Sequence, residues 1–165
     1  MPTVPNPWPS AAARRDLTAY RGELMQIVIP GRPATKKNSG RIVKVGKFSK
    51  ILPSKTFENY QKVALRCLKN YTGTFDGPVL VKCLYWLPDQ RWWPDLVGLL
   101  QATSDILEKA GIIENDRLII GYDGSRIAGL DKRNPRVEIE IQKWQDDGIT
   151  IWDPVVQKKQ IQSLF

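Results

Sequence analysis

The stretch RVEIEIQKW, residues 136–144, sets Val137, Ile139 and Ile141 strictly against Glu138, Glu140 and Gln142. A period of two sends successive side chains to opposite faces, so the segment reads as a strand with one apolar and one polar side. Such a strand needs partners in a sheet and an apolar layer over one face, and this requirement organises the rest of the chain. LMQIVIP, 24–30, is a β-branched apolar run closed by Pro30 and Gly31, and PVLVKCLYWLP, 78–88, alternates over the length of a long strand. RLIIGYDG, 117–124, reads as one further strand.

Two helices supply the covering layer. Ser54 is placed to cap a helix over residues 55–70, with Phe57, Tyr60, Ala64, Cys67 and Leu68 at helical spacing. A second helix runs from 95 to Gly111, the glycine serving as its stop. Between the first strand and the first helix, GRPATKKNSGRIVKVGKFSKILPSK is basic, punctuated by glycine and proline, and suited to a hairpin across Gly46. The order strand, hairpin, helix, strand, helix, strand, strand predicts a single α/β (α+β) domain over residues 24–145, a mixed β-sheet packed with two main helices. Residues 1–23 are expected to form a flexible arm and residues 146–165 a C-terminal extension.

Histidine is absent from the 165 residues, which removes Ser-His-Asp triads, His-Cys pairs and His-ligated zinc. Catalysis, if present, falls to carboxylates, lysines or a hard metal ion. Cys67 and Cys83 form no CxxC pair and read as buried thiols of a reducing compartment. No apolar run reaches the roughly 20 residues of a membrane span, and the first residues lack a signal peptide's apolar segment, so a soluble cytoplasmic protein is expected.

The formal charge of +8 and the isoelectric point near 9.6 point to a polyanionic partner, nucleic acid ahead of anionic membrane. The charge is segregated. From Arg32 to Lys69 eleven basic residues face one acid, Glu58, whereas from Asp89 to Arg126 seven acids outnumber four bases. A basic gripping surface beside acids is what metal-assisted phosphodiester hydrolysis requires, because lysines neutralise phosphates while carboxylates hold a hard cation. Lys36, Lys37 and Arg41 are candidate phosphate contacts with Asn38 and Ser39 as neutral donors, and Lys44, Lys47 and Lys55 extend the surface. Arg91, Trp92 and Trp93 suit either stacking on a base or partial burial in the core.

At 100° per residue the second helix separates Leu96, Leu99, Leu100, Thr103, Ile106, Leu107 and Ala110 from a polar row of Gln101, Ser104, Asp105 and Glu108. Val97 heads the polar row and is the residue out of pattern. Asp95 is either the cap of this helix or a metal ligand, and Asp105 lies ~15 Å further along the axis, too far to share an ion with it. Asp116 follows the turn IIEND, where a strand begins.

PDLVGLLQATSDILEKAGIIENDRLI, together with VIPGRPATKKNSGR and ILPSKTFENY, resembles the RusA-type Holliday junction resolvases over residues 25–143. Their central pattern resembles P-D-x-D-N-x-x-K followed by an apolar helix, a glycine turn and an acidic pair. The resemblance implies a homodimeric endodeoxyribonuclease that binds four-way DNA junctions and cuts paired strands with Mg²⁺, or Mn²⁺, held by aspartates. Asp95 matches the first motif aspartate and Asp116 the last. Val97, Gly98 and Gln101 stand where the pattern has aspartate, asparagine and lysine. Two carboxylates can still hold an Mg²⁺ that keeps several waters. Asp123, with Arg126 beside it, is a candidate to compensate, although on an extended strand it would lie more than ~20 Å from Asp116. The alternative implied by the departures is a catalytically impaired, junction-binding relative.

Overall fold

A computed structural model describes residues 24–36, 41–52 and 54–144. The arm at 1–23 and the extension from 146 lie outside the described residues. Strand β1 spans Leu24–Pro30, a hairpin pairs β2 (Arg41–Val45) with β3 (Phe48–Leu52), helix α1 spans Lys55–Leu68 and β4 spans Val79–Leu87. Helix α2 (Leu96–Lys109), a 3₁₀ turn (Asp116–Leu118), β5 (Ile119–Gly121), β6 (Arg126–Leu130) and β7 (Arg136–Lys143) complete the order. The α+β class, the mixed sheet and the two helices are as the sequence predicts.

Strand β7 takes the centre its alternation demands, antiparallel to β1 on one side and to β4 on the other. Val137, Ile139 and Ile141 join Met25, Ile27 and Ile29 of β1 and Val81, Cys83 and Tyr85 of β4 on one apolar face. Tyr60, Ala64 and Leu68 of α1 and Leu99, Ile106 and Leu107 of α2 cover it. Ser54 caps α1 as expected, its Oγ accepting from Phe57 N at 3.1 Å. Gly111, at φ 72°, ends the second helical segment in the left-handed region where glycine is unstrained. A buried hydrogen bond of 2.8 Å between the hydroxyls of Tyr85 and Thr103 ties α2 to β4.

The far edge of β4 departs from expectation. Residues 117–124 do not form one strand: the 3₁₀ turn comes first, β5 lasts three residues, and the chain turns at Asp123 and Gly124 before β6, a strand the sequence reading did not contain. Both short strands run parallel to β4, β5 beside its start and β6 beside its end. Ser125 bridges the break, accepting from Cys83 N through Oγ at 2.9 Å. A hydroxyl thus satisfies a ladder N–H that would otherwise be orphaned.

The polar face of β7 is not simply solvated. Glu138 is 2% exposed, and its Oε1 accepts from Arg136 Nε at 2.8 Å. Arg136 Nη1 also donates to Asp131 Oδ2 and to the Asn134 carbonyl, both at 2.9 Å, and its guanidinium lies 4.9 Å from the Trp86 ring centre. Alternation assigns Glu138 a side but not an environment, and the arginine beside it makes burial possible. Of the two thiols, Cys83 is buried and Cys67 half-buried. Burial pushes the Cys83 thiol up to about 12 against a weaker lowering effect of Tyr85, so at neutral pH it stays protonated and unreactive.

Replacing Arg136 with Met leaves Glu138 buried without its guanidinium. The expected loss is about 3 kcal/mol of unfolding free energy, measured by urea denaturation. Thr103→Val, which removes the partner of the Tyr85 hydroxyl, should cost about 1–3 kcal/mol in the same assay.

Candidate nucleic-acid and metal-binding site

Helix α2 carries Asp105 and Glu108 on the side turned away from the core, with the candidate ligand Asp95 at its start and Asp116 and Asp123 beyond its end. At its start Asp95 is the N-cap, its Oδ1 accepting from Gly98 N at 2.6 Å. The carboxylate lies close against Gly98, where a Cβ would be 2.8 Å and 2.9 Å from its two oxygens. Val97 is 71% exposed, so the residue out of pattern projects into solvent. Gln101 is exposed one turn further on, but Ser104, expected on the solvated row, is buried. Its hydroxyl donates to the Leu100 carbonyl at 2.8 Å and hydrogen-bonds the Tyr122 hydroxyl at 2.5 Å, because the 122–125 turn folds over this part of the helix.

Asp105 is paired with Lys36, which crosses from the basic segment and also lies 5.9 Å from the Phe57 ring centre. Asp116 opens the 3₁₀ turn, and its backbone N donates to Glu108 Oε2 at 3.1 Å. Burial raises the pKa of the Tyr122 phenol, opposed by the Ser104 hydrogen bond and reinforced by the charges of Asp116 and Asp105. The structure therefore brings Asp105 and Asp116 to the surroundings of Tyr122. Asp95 stands at the opposite end of the helix, separated from Asp105 by ~15 Å of helix rise. Asp123 and Arg126 belong to the turn and the start of β6, Arg126 donating to the Gly124 carbonyl at 3.4 Å. The chain is bent, not extended, between Asp116 and Asp123.

Lys44 and Lys47 are exposed on the β2–β3 hairpin, and Lys55 is exposed at the first position of α1. Arg91 is exposed and pairs with Asp89 at 3.2 Å, a pair that Arg32 joins at 3.8 Å. Although desolvation works the other way, hydrogen bonds from Arg91 and the charges of Arg91 and Arg32 hold the Asp89 carboxyl below its usual range. Lys37 and Asn38 lie outside the described residues, as does the side chain of Arg41. Trp92 and Trp93 are 89% and 51% exposed, so the stacking alternative has its rings available. Neither the Lys36–Asp105 pair nor the Ser104–Tyr122 bond has a local sequence signal, since their members are 69 and 18 residues apart.

Among the described residues no three acidic, cysteine or histidine side chains gather as a metal site. The described residues therefore do not form a cage of three for a cation, and Asp95 and Asp116 stand apart as single carboxylates. No helix among the described residues is long and apolar enough to cross a membrane.

The capping role of Asp95 separates from any metal role by substitution. Asp95→Ala should lower stability by about 1 kcal/mol. Asp95→Asn, which keeps a capping oxygen, should melt within a degree or two of the parent in the same thermal scan.

No curated protein matches the chain. The profile of the endodeoxyribonuclease RusA family matches residues 30–142, from the end of β1 to the last turn of β7's ladder, well over half of the sequence. The chain belongs to the RusA endodeoxyribonuclease family.

Proposed function

We propose that this protein is a divalent-metal-dependent endodeoxyribonuclease that resolves four-way junctions or related branched DNA as a homodimer. The observation that carries the reading, beside family membership, is that the basic segment is fastened to the acidic helix through Lys36 and Asp105. Phosphates gripped by the one are thereby delivered to the carboxylates of the other. Lys36, Lys37, Asn38, Arg41, Lys44, Lys47, Lys55 and Arg91 would hold DNA, mainly by neutralising phosphates. Asp95 and Asp116 are the candidate ligands of Mg²⁺, or Mn²⁺, which when bound lowers the pKa of a water and stabilises charge on the phosphate. Because they stand at opposite ends of α2, each would act as a single carboxylate completed by water and DNA phosphate, not as one pair. Asp123 and Arg126 would supplement this donor set. A two-fold dimer matches the two-fold symmetry of a four-way junction, and the exposed apolar residues Ile42, Val45 and Phe48 of the hairpin are consistent with a surface that a second copy covers.

A second reading is favoured by the exposed Val97 and by the closure of Asp95 over Gly98: a relative that binds junctions without cutting them. The two readings separate in one assay. On the first, the purified protein nicks a synthetic four-way junction with Mg²⁺ or Mn²⁺ and Asp116→Asn abolishes nicking. Binding without cutting under both metals, followed by cutting once Val97→Asp and Gln101→Lys are introduced together, establishes the second. Either way junction affinity should fall steeply with added salt, log K dropping linearly with log salt. Salt-independent binding would sink both.

A further inference from the structure

Beside the start of α2 the surface opens into a groove of about 600 Å³, walled by Arg32 and Thr35, by Ser54 and Thr56 at the start of α1, and by Trp92 and Trp93. Its volume lies within the range of about 300–1,000 Å³ typical of small-ligand sites. The rings of Trp92 and Trp93 are exposed although a large apolar surface gains by burial, and both stand on one groove. Trp92 is also the one described residue other than glycine with positive φ, at 55°. A bulky side chain in the left-handed region costs free energy, and such strain persists where the surroundings over-determine it, characteristically at binding sites. Here the surroundings are the Arg32, Asp89 and Arg91 network: Arg32 donates to the Arg91 carbonyl, and Asp89 Oδ1 accepts from Arg91 N at 2.8 Å. The loop is held in the conformation that presents Trp92.

We infer that this groove is a nucleobase site, which takes one unstacked base of the DNA between Trp92 and Trp93 while the hydroxyls of Thr35, Ser54 and Thr56 face its polar edges. The occupant is argued from charge and chemistry. An aromatic pair alone would suit many apolar groups, but the wall facing this one, Arg32 to Thr35 and Ser54 to Thr56, belongs to the segment whose excess of basic residues attracts phosphates, and Lys55, between two groove residues, is exposed. A base carried on a phosphate backbone is the ligand that satisfies stacking and charge together. A branch point supplies such bases, because stacking is interrupted where strands exchange. The inference rests on the DNA-binding part of the proposed function and adds the part of the substrate that the protein reads at the branch.

The test measures binding of the full chain to three fluorescent probes: a short oligothymidylate, the same strand with abasic sites, and a blunt duplex. Trp92→Ala with Trp93→Ala should weaken oligothymidylate binding by about tenfold or more, with the abasic strand and duplex changed by less than about twofold. Trp92→Phe should restore most of the loss. Trp92→Gly should raise the melting temperature by relieving the left-handed strain and still weaken base binding, an outcome that a purely structural tryptophan would not give. Equal losses on all three probes, or no loss on oligothymidylate, overturn the base site and leave the proposed function standing. Failure of the parent protein to bind oligothymidylate likewise overturns the base site, while the proposed function falls only if the parent also fails to bind a four-way junction.

Discussion

The buried hydrogen bond between Tyr85 of β4 and Thr103 of α2 fixes how the helix is turned about its own axis. Everything on the site side follows from that rotation. With Thr103 facing the sheet, Val97, Gln101 and Asp105 face outward, and Lys36 can reach Asp105 from the first loop. Burial of the Tyr85 hydroxyl, chiefly through desolvation, holds its pKa well above the ordinary value, so the phenol remains a neutral partner at any working pH. Leu99, Ile106 and Leu107 supply most of the favourable area for docking α2, but apolar contact is non-directional. The polar pair supplies direction.

The same contrast explains what was legible in the sequence. β1, β7, both helices and the hairpin were readable because each has a period or a punctuating residue that acts locally: the Ile139 alternation, the Ser54 cap, Gly46 and Gly111. β5 and β6 were not, because neither is long enough to show a period and their existence depends on β4 lending an edge. Ser125 decides where they separate, through a bond to Cys83 N that spans 42 residues of sequence. Glu138 shows the limit within a correctly placed strand. Its side of the sheet follows from alternation, but its burial depends on Arg136, Trp86 and Asp131 meeting in three dimensions.

At the site, segregation of charge was visible and its assembly was not. The sequence contains a basic half and an acidic half, and the fold joins them through Arg32 with Asp89 and through Lys36 with Asp105, the second pair beside a tyrosine that no local motif marks. The exposed tryptophans carry the opposite lesson. Adjacent tryptophans favour a core on average, yet here both rings are exposed, in a loop held by hydrogen bonds among Arg32, Asp89 and Arg91 with Trp92 at positive φ.

The three departures from the family pattern behave as one coupled change. Positions 97 and 101 lie four residues apart on the helix, where an acid and a lysine would form a mutually stabilising pair; valine and glutamine replace both partners and leave the net charge of that face unaltered. Losing only the acid would have left an unbalanced lysine, and losing only the lysine an extra negative charge beside Asp95. Position 98 completes the change. A Cβ there would meet the Asp95 carboxylate at less than 3 Å, so a larger residue would make that carboxylate shift within the cap. Asp95 serves the helix as its N-cap through one carboxylate oxygen, bonded to Gly98 N at 2.6 Å.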